Sequence, residues 1–247
     1  MTESEWLACT DPKPMLEFVR MKASDRKVRF YFCGGCHYID HLFFRPESLT
    51  AVEVAERFAD GNATQVELDR AEWDAESPTF GYEFEKEGFT DSSSYKMAVV
   101  PRLVEMGALP ESALSGGEWQ VDETVKRRLL AAAVLAEFCA SPSPREADWG
   151  TRHLSQVDWP CRWLFDCVFG NPFRPVVLDP AWIAWDDGAA RRIAQDIYEE
   201  RGFDRLPILA DALEDAGCTN PDILTHCRSA GPHVRGCWVL DLILGKE

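Results

Sequence analysis

Apolar residues in this chain recur at intervals of three and four far more often than they alternate, the spacing of helices with one buried face. Pro14 suits the first turn of a helix through Met15, Leu16, Phe18 and Val19. Ser24 and Asp25 open a longer helix that runs through Phe32 toward Phe44, with Gly34 and Gly35 weakening its middle. Pro46 and Ser48 start a third, whose apolar positions Val52, Ala55, Phe58 and Ala59 end at Gly61. Thr64 and Glu67 have the spacing of a capping box, in which hydroxyl and carboxylate each satisfy an otherwise orphan amide. The strongest helical signal covers residues 122–139, where Val125, Leu129, Ala132, Ala133, Ala136 and Phe138 form a stripe on good helix formers.

Further helices are expected over 161–168, 189–201, 206–216 and 234–244, with Gly170, Gly202 and Gly217 as stops. Asn220 and Pro221 form an N-cap and N1 pair for a short helix through Ile223 and Leu224. The pattern predicts a mainly α, multi-helix globular protein. Between Glu67 and Asp91 nine acidic residues face only Arg70 and Lys86, interleaved with Trp73, Phe80, Tyr82, Phe84 and Phe89, which reads as an irregular acidic excursion. The run SPSPREADWG is the one linker-like stretch, because Pro142 and Pro144 exclude a continuous helix. It suggests an N-terminal helical region at 1–141 with the variable middle, a linker at 142–150, and a C-terminal helical region at 151–247, with packing of the whole as one domain the alternative. The segment NPFRPVVLDPAW, with Pro172, Pro175 and Pro180, reads as an extended crossing.

Composition narrows the function. The chain has 247 residues, 46% of them hydrophobic, enough to bury a substantial core. A net charge of -16 argues against general affinity for phosphate backbones, leaving nucleic acid only a local basic patch. The N-terminal MTESEWLACT lacks the basic and apolar regions of a secretory signal, and no apolar run reaches the ~18 residues of a spanning helix, so a cytoplasmic protein with no membrane partner is expected. Its nine cysteines are then read as reduced thiols, an odd number that suits a disulfide framework poorly.

Two cysteine and histidine groups carry candidate chemistry. Cys218, Cys227, His233 and Cys237 are separated by eight, five and three residues, and three thiolates with one imidazole would close a tetrahedral zinc site. The spacing is similar to that of zinc fingers with three cysteines and one histidine that bind RNA, with the last two ligand types exchanged. Against this stands ordinary core packing, since the region is helical and rich in Ile and Leu. In the second group, Cys33, Cys36 and His37 formally match the haem-attachment motif, whose chemistry needs an exported chain. On a helix Cys33, His37 and His41 recur every fourth residue, a face that would also suit zinc or a redox pair. No other cofactor is expected.

No nucleophile elbow, phosphate-binding glycine loop or dinucleotide fingerprint is present, so no catalytic residue is assigned. Arg235, beside His233, offers a bidentate fork for an anion or partner, and Trp73, Phe80, Tyr82 and Phe84 are candidate interface anchors.

The N-terminal MTESEWLACTDPKPMLEFVR, the central FGNPFRPVVLDPAW and the C-terminal FDRLPILADALEDAGC and GPHVRGCWVLDLILGKE resemble a large paralogous group of uncharacterised bacterial proteins. The resemblance implies shared ends around a variable middle and brings no activity. Three readings follow. The first is a non-enzymatic helical interaction or regulatory subunit whose partner is another protein. The second is a structural-zinc module, with nucleic acid as one ligand. The third is an enzyme with a dispersed active site using His153, His226 or His233 as bases.

Overall fold

A computed structural model describes residues 1–43, 46–76, 104–105, 110–115, 123–144 and 154–246. The described residues form α-helices and short 3-10 turns with no strand among them: α1 (Glu3–Ala8), α2 (Pro12–Val19), α3 (Asp25–Tyr38), α4 (Pro46–Ala59), α5 (Gln65–Glu76), α6 (Glu123–Ala140), α7 (Cys161–Val168), α8 (Pro180–Ala184), α9 (Ala189–Glu200), α10 (Leu206–Asp215), α11 (Pro221–Arg228) and α12 (Trp238–Leu244). None of these helices is long and apolar enough to cross a membrane.

Local chemistry sets most boundaries. Thr64 and Glu67 form the expected capping box ahead of α5, with Thr64 N donating to Glu67 Oε2 at 2.8 Å and Glu67 N to Thr64 Oγ1 at 3.2 Å. A second box, Thr2 with Glu5, starts α1. Asp11 caps α2 and Pro12 opens it with the fixed φ of a first helical position, which leaves Pro14 in the first turn as expected. Asn220 caps α11 by accepting from the amides of Asp222 and Ile223. The last helix differs from its sequence pattern. It begins at Trp238 instead of near Val234, because Gly236 has φ +81° and the preceding residues are not helical.

The chain folds as two compact units, Met1–Gly34 with Pro160–Glu247, and Gly35–Trp159. The first is called here the terminal unit and the second the middle unit. The division falls inside α3, so the first 34 residues group with the C-terminal helices, where the linker-based reading had placed them with the middle.

In the middle unit α4, α5 and α6 pack mutually. Their buried stripes include Ala51, Val52 and Ala55, Leu68 and Ala71, and Leu129, Ala132 and Ala136. Gly35 does not break α3 because its missing side chain leaves room for a neighbour: a Cβ there would run into the Trp159 indole. A Gly35→Ala variant should gain up to ~1 kcal/mol of helix propensity yet lose ~1–3 kcal/mol or more to overpacking, and be net less stable. Urea denaturation with unchanged or increased stability would contradict this close approach.

The terminal unit has two joined cores. An aromatic one is centred on Trp6, fully buried, with Phe165 edge-on at 5.4 Å and Tyr31 4.6 Å from Phe165. An aliphatic one is made of Ala190, Ala194 and Ile197 of α9, Leu206, Leu209 and Leu213 of α10, and Val239, Leu240 and Ile243 of α12. Asp241, 1% exposed, sits under these helices against Arg26 and Lys27.

Candidate metal centre

Three separate stretches of the terminal unit converge on one point. Cys167 lies in the last turn of α7, which stops because Gly170 takes φ +62°. His226 lies in the last turn of α11, which ends at the extended Ser229. The non-helical stretch between α11 and α12 then reverses and presents His233 and Cys237, the latter as the N-cap of α12. Gly236 is required here on two counts, its left-handed φ and a Cβ position only 2.6 Å from Phe30 Cβ.

One candidate ligand atom from each of Cys167, His226, His233 and Cys237 lies within 4.8 Å of every other. His226 Nε2 is 3.2 Å from Cys237 Sγ, and His233 Nδ1 is 3.8 Å from Cys167 Sγ. Both cysteines are buried and both histidines half-buried. The surroundings orient these atoms. Ser229 Oγ donates to the His226 carbonyl at 2.8 Å, so its oxygen is left to accept from His233 Nε2 at 3.2 Å. His233 is thereby held as the Nε2–H tautomer with the Nδ1 lone pair facing Cys167, the arrangement a metal-ligating imidazole needs. The Val234 amide donates to Cys167 Sγ at 3.4 Å.

Without metal the two thiols behave as an unequal pair. Burial raises both, and for Cys167 the neighbouring Cys237 adds to the rise, so it stays protonated. For Cys237 burial is outweighed by the hydrogen bond from Cys167, the charge and hydrogen bond of His226 and a hydrogen bond of His233, which hold it well below the ordinary thiol range. Two sulfurs and two nitrogens at this separation could hold a metal ion.

The residues expected from sequence fall differently. His233 and Cys237 are in the centre. Cys218 and Cys227 are buried in the aliphatic core instead, and the Cys227 thiol is pushed up by burial and by nearby Cys237 and Cys218. Cys227 shares the inward face of α11 with Ile223, four residues earlier, whereas His226 is turned toward Cys237. The second expected group is not gathered into a metal-holding cluster among the described residues. Cys36 Sγ lies 3.5 Å from Cys139 Sγ, His37 Nε2 meets Glu56 Oε1 at 3.0 Å, Cys33 is buried, and His41 is exposed in a 3-10 turn past the end of α3.

Of the candidate interface residues, Trp73 is 67% exposed on α5, and Phe80, Tyr82 and Phe84 lie outside the described residues, as does His153. Arg235 is half-buried with its guanidinium 5.4 Å from the Tyr198 ring centre. A cleft of about 430 Å³ adjoins the centre, walled by Phe169, Pro172, Pro175, Asp222 and Trp238 and sharing His226 with it. No protein-family model matches the chain, and no curated protein or solved structure is significantly similar to it.

Proposed function

We propose that this is a non-enzymatic helical interaction module whose terminal unit is built around structural zinc held by Cys167, His226, His233 and Cys237. The observation that carries the reading is the mutual 4.8 Å limit on the four ligand atoms. Tetrahedral zinc with Zn–S of ~2.3 Å and Zn–N of ~2.0 Å needs ligand atoms about 3.3–3.8 Å apart, so small side-chain movements close the site. Two thiolates neutralise the ion, which suits a buried place. Four protein ligands leave no open position for substrate, which favours a structural over a catalytic role. A cytoplasmic location goes with this reading, because thiols are kept reduced there and reduced thiols are what zinc needs. The cleft that shares His226 is where zinc would shape a surface for another protein, and the charge of -16 favours such a partner over nucleic acid.

Metal analysis of untagged protein purified without chelator tests the site. About one zinc per chain is expected, lost in Cys167→Ser and in Cys237→Ser and kept in Cys218→Ser. Zinc lost in Cys218→Ser but kept in Cys167→Ser would restore the contiguous ligand set, and no metal in the wild type would end the zinc reading.

A further inference from the structure

We infer that Lys27 is a positioning residue of the metal centre, clamping together the two backbone segments that carry its sulfur ligands. The inference rests on the zinc reading above and concerns a residue that contributes no ligand atom. Lys27 Nζ donates to the carbonyl of Val168 at 3.1 Å and to the carbonyl of Gly236 at 2.8 Å. Val168 follows Cys167 and Gly236 precedes Cys237, so one ammonium grips the Gly236–Cys237 peptide and the Val168–Phe169 peptide one residue beyond Cys167, on segments that nothing in the sequence joins. Its third contact is Asp241 Oδ2 at 2.6 Å. An ammonium has three hydrogens, and all three are committed.

The far end of the clamp is equally fixed. Arg26 holds Asp241 through both carboxylate oxygens, Nη1 to Oδ2 at 2.8 Å and Nη2 to Oδ1 at 3.0 Å, while a second contact ties Arg26 Nη2 to Tyr198 Oη at 2.7 Å. Asp241 is itself one helical turn after Cys237, its amide donating to the Cys237 carbonyl at 2.9 Å. Lys27 thus sets Cys237 twice, through Gly236 and through Asp241, and Cys167 once, through Val168. The lysine is 16% exposed at its side chain and Asp241 2%, so water competes little for these bonds. A metal selects ligand sets placed to within about 0.5 Å, and residues behind the ligands supply that placement.

The test is zinc affinity, measured by competition with a chromophoric chelator, together with the absorption spectrum of the cobalt(II) form. Affinity compares apo and zinc forms of one variant, so a loss of stability common to both cancels. Lys27→Met keeps the aliphatic stem, removes the three donors and leaves Asp241 paired with Arg26. It should bind zinc about 10- to 100-fold more weakly and give weaker tetrahedral cobalt bands. Lys27→Arg, which keeps charge and donors, should recover most of the loss. If Lys27→Met does not fold, Lys27→Gln, with its two remaining donors, should still fold and lose at least about 10-fold. Wild-type affinity and spectrum in a folded Met or Gln variant would overturn the role of Lys27 while leaving the zinc centre standing. Absence of tight zinc and of tetrahedral cobalt bands in the wild type would overturn both.

Discussion

Removing zinc is expected to destabilise the terminal unit by about 4 kcal/mol when free zinc stands a thousandfold above its dissociation constant, because a ligand bound only by the folded state stabilises it by that linkage. The loss should shift the thermal midpoint by on the order of 10 °C. It should not unfold the unit outright. A classical finger has too little apolar core to fold without its ion, whereas here the cluster that holds Cys167 and Cys237 also buries Leu206, Leu209, Leu213, Val239, Leu240 and Ile243. The part that should loosen is the non-helical stretch between α11 and α12, whose conformation depends on Gly236 and on the Ser229–His233 hydrogen bond. Urea and thermal melts with and without chelator decide the matter, with Cys237→Ser as reference. The variant should melt where the chelated wild type melts and be indifferent to chelator. Identical midpoints for zinc-loaded and chelated wild type would mean that metal, even if bound, contributes nothing to the fold.

The helices were legible because each rests on local rules. Thr64 with Glu67 and Asn220 with Pro221 are chemistry contained within four residues, and both caps form with the expected donors. The Cys/His cluster that could hold a metal is only half legible, for a geometric reason. A spacing motif assumes that ligands lie close in sequence, which is true of loop-rich fingers and false where helices bring residues together from afar. His233 and Cys237 share one turn-rich stretch and belong to both the sequence spacing and the cluster; Cys167 comes from α7, which no local spacing connects to them. Helix geometry separates Cys227 from its neighbour His226. Ile223 and Cys227 are four apart and so share a helical face, and a face bearing Ile is the core face, which turns His226 elsewhere. By propensity Gly34 and Gly35 only weaken the middle of α3, because propensity omits what packs against them, as Trp159 does on Gly35. The unit boundary was illegible for a related reason: nothing in the N-terminal segment announces that Trp6 is filled in against residues beyond 160.

That N-terminal contribution leads to the other large effect. A fragment of residues 151–247, the C-terminal region a linker-based division would isolate, should fail to fold even with zinc supplied. It lacks Trp6, whose fully buried indole meets Phe165 at 5.4 Å and Phe18 at 6.0 Å, and whose carbonyl accepts from Arg162 Nη1 at 2.6 Å. It also lacks Tyr31, packed between Phe165 and Phe169, and Phe30, on which the Gly236 turn rests. Arg26 and Lys27 go with them, leaving the buried Asp241 carboxylate without the cations that pair with it, a change that alone costs ~3–5 kcal/mol. Set against the 5–15 kcal/mol by which domains are typically stable, the combined loss leaves nothing to hold the fragment together. In the full chain the single variant Trp6→Ala, which empties the centre of the aromatic core, should cost ~3–5 kcal/mol. Far-UV circular dichroism, amide dispersion in NMR and zinc titration of the fragment provide the check. Cooperative melting with undiminished zinc affinity in residues 151–247 alone would show that the first 34 residues decorate this unit and do not complete its core.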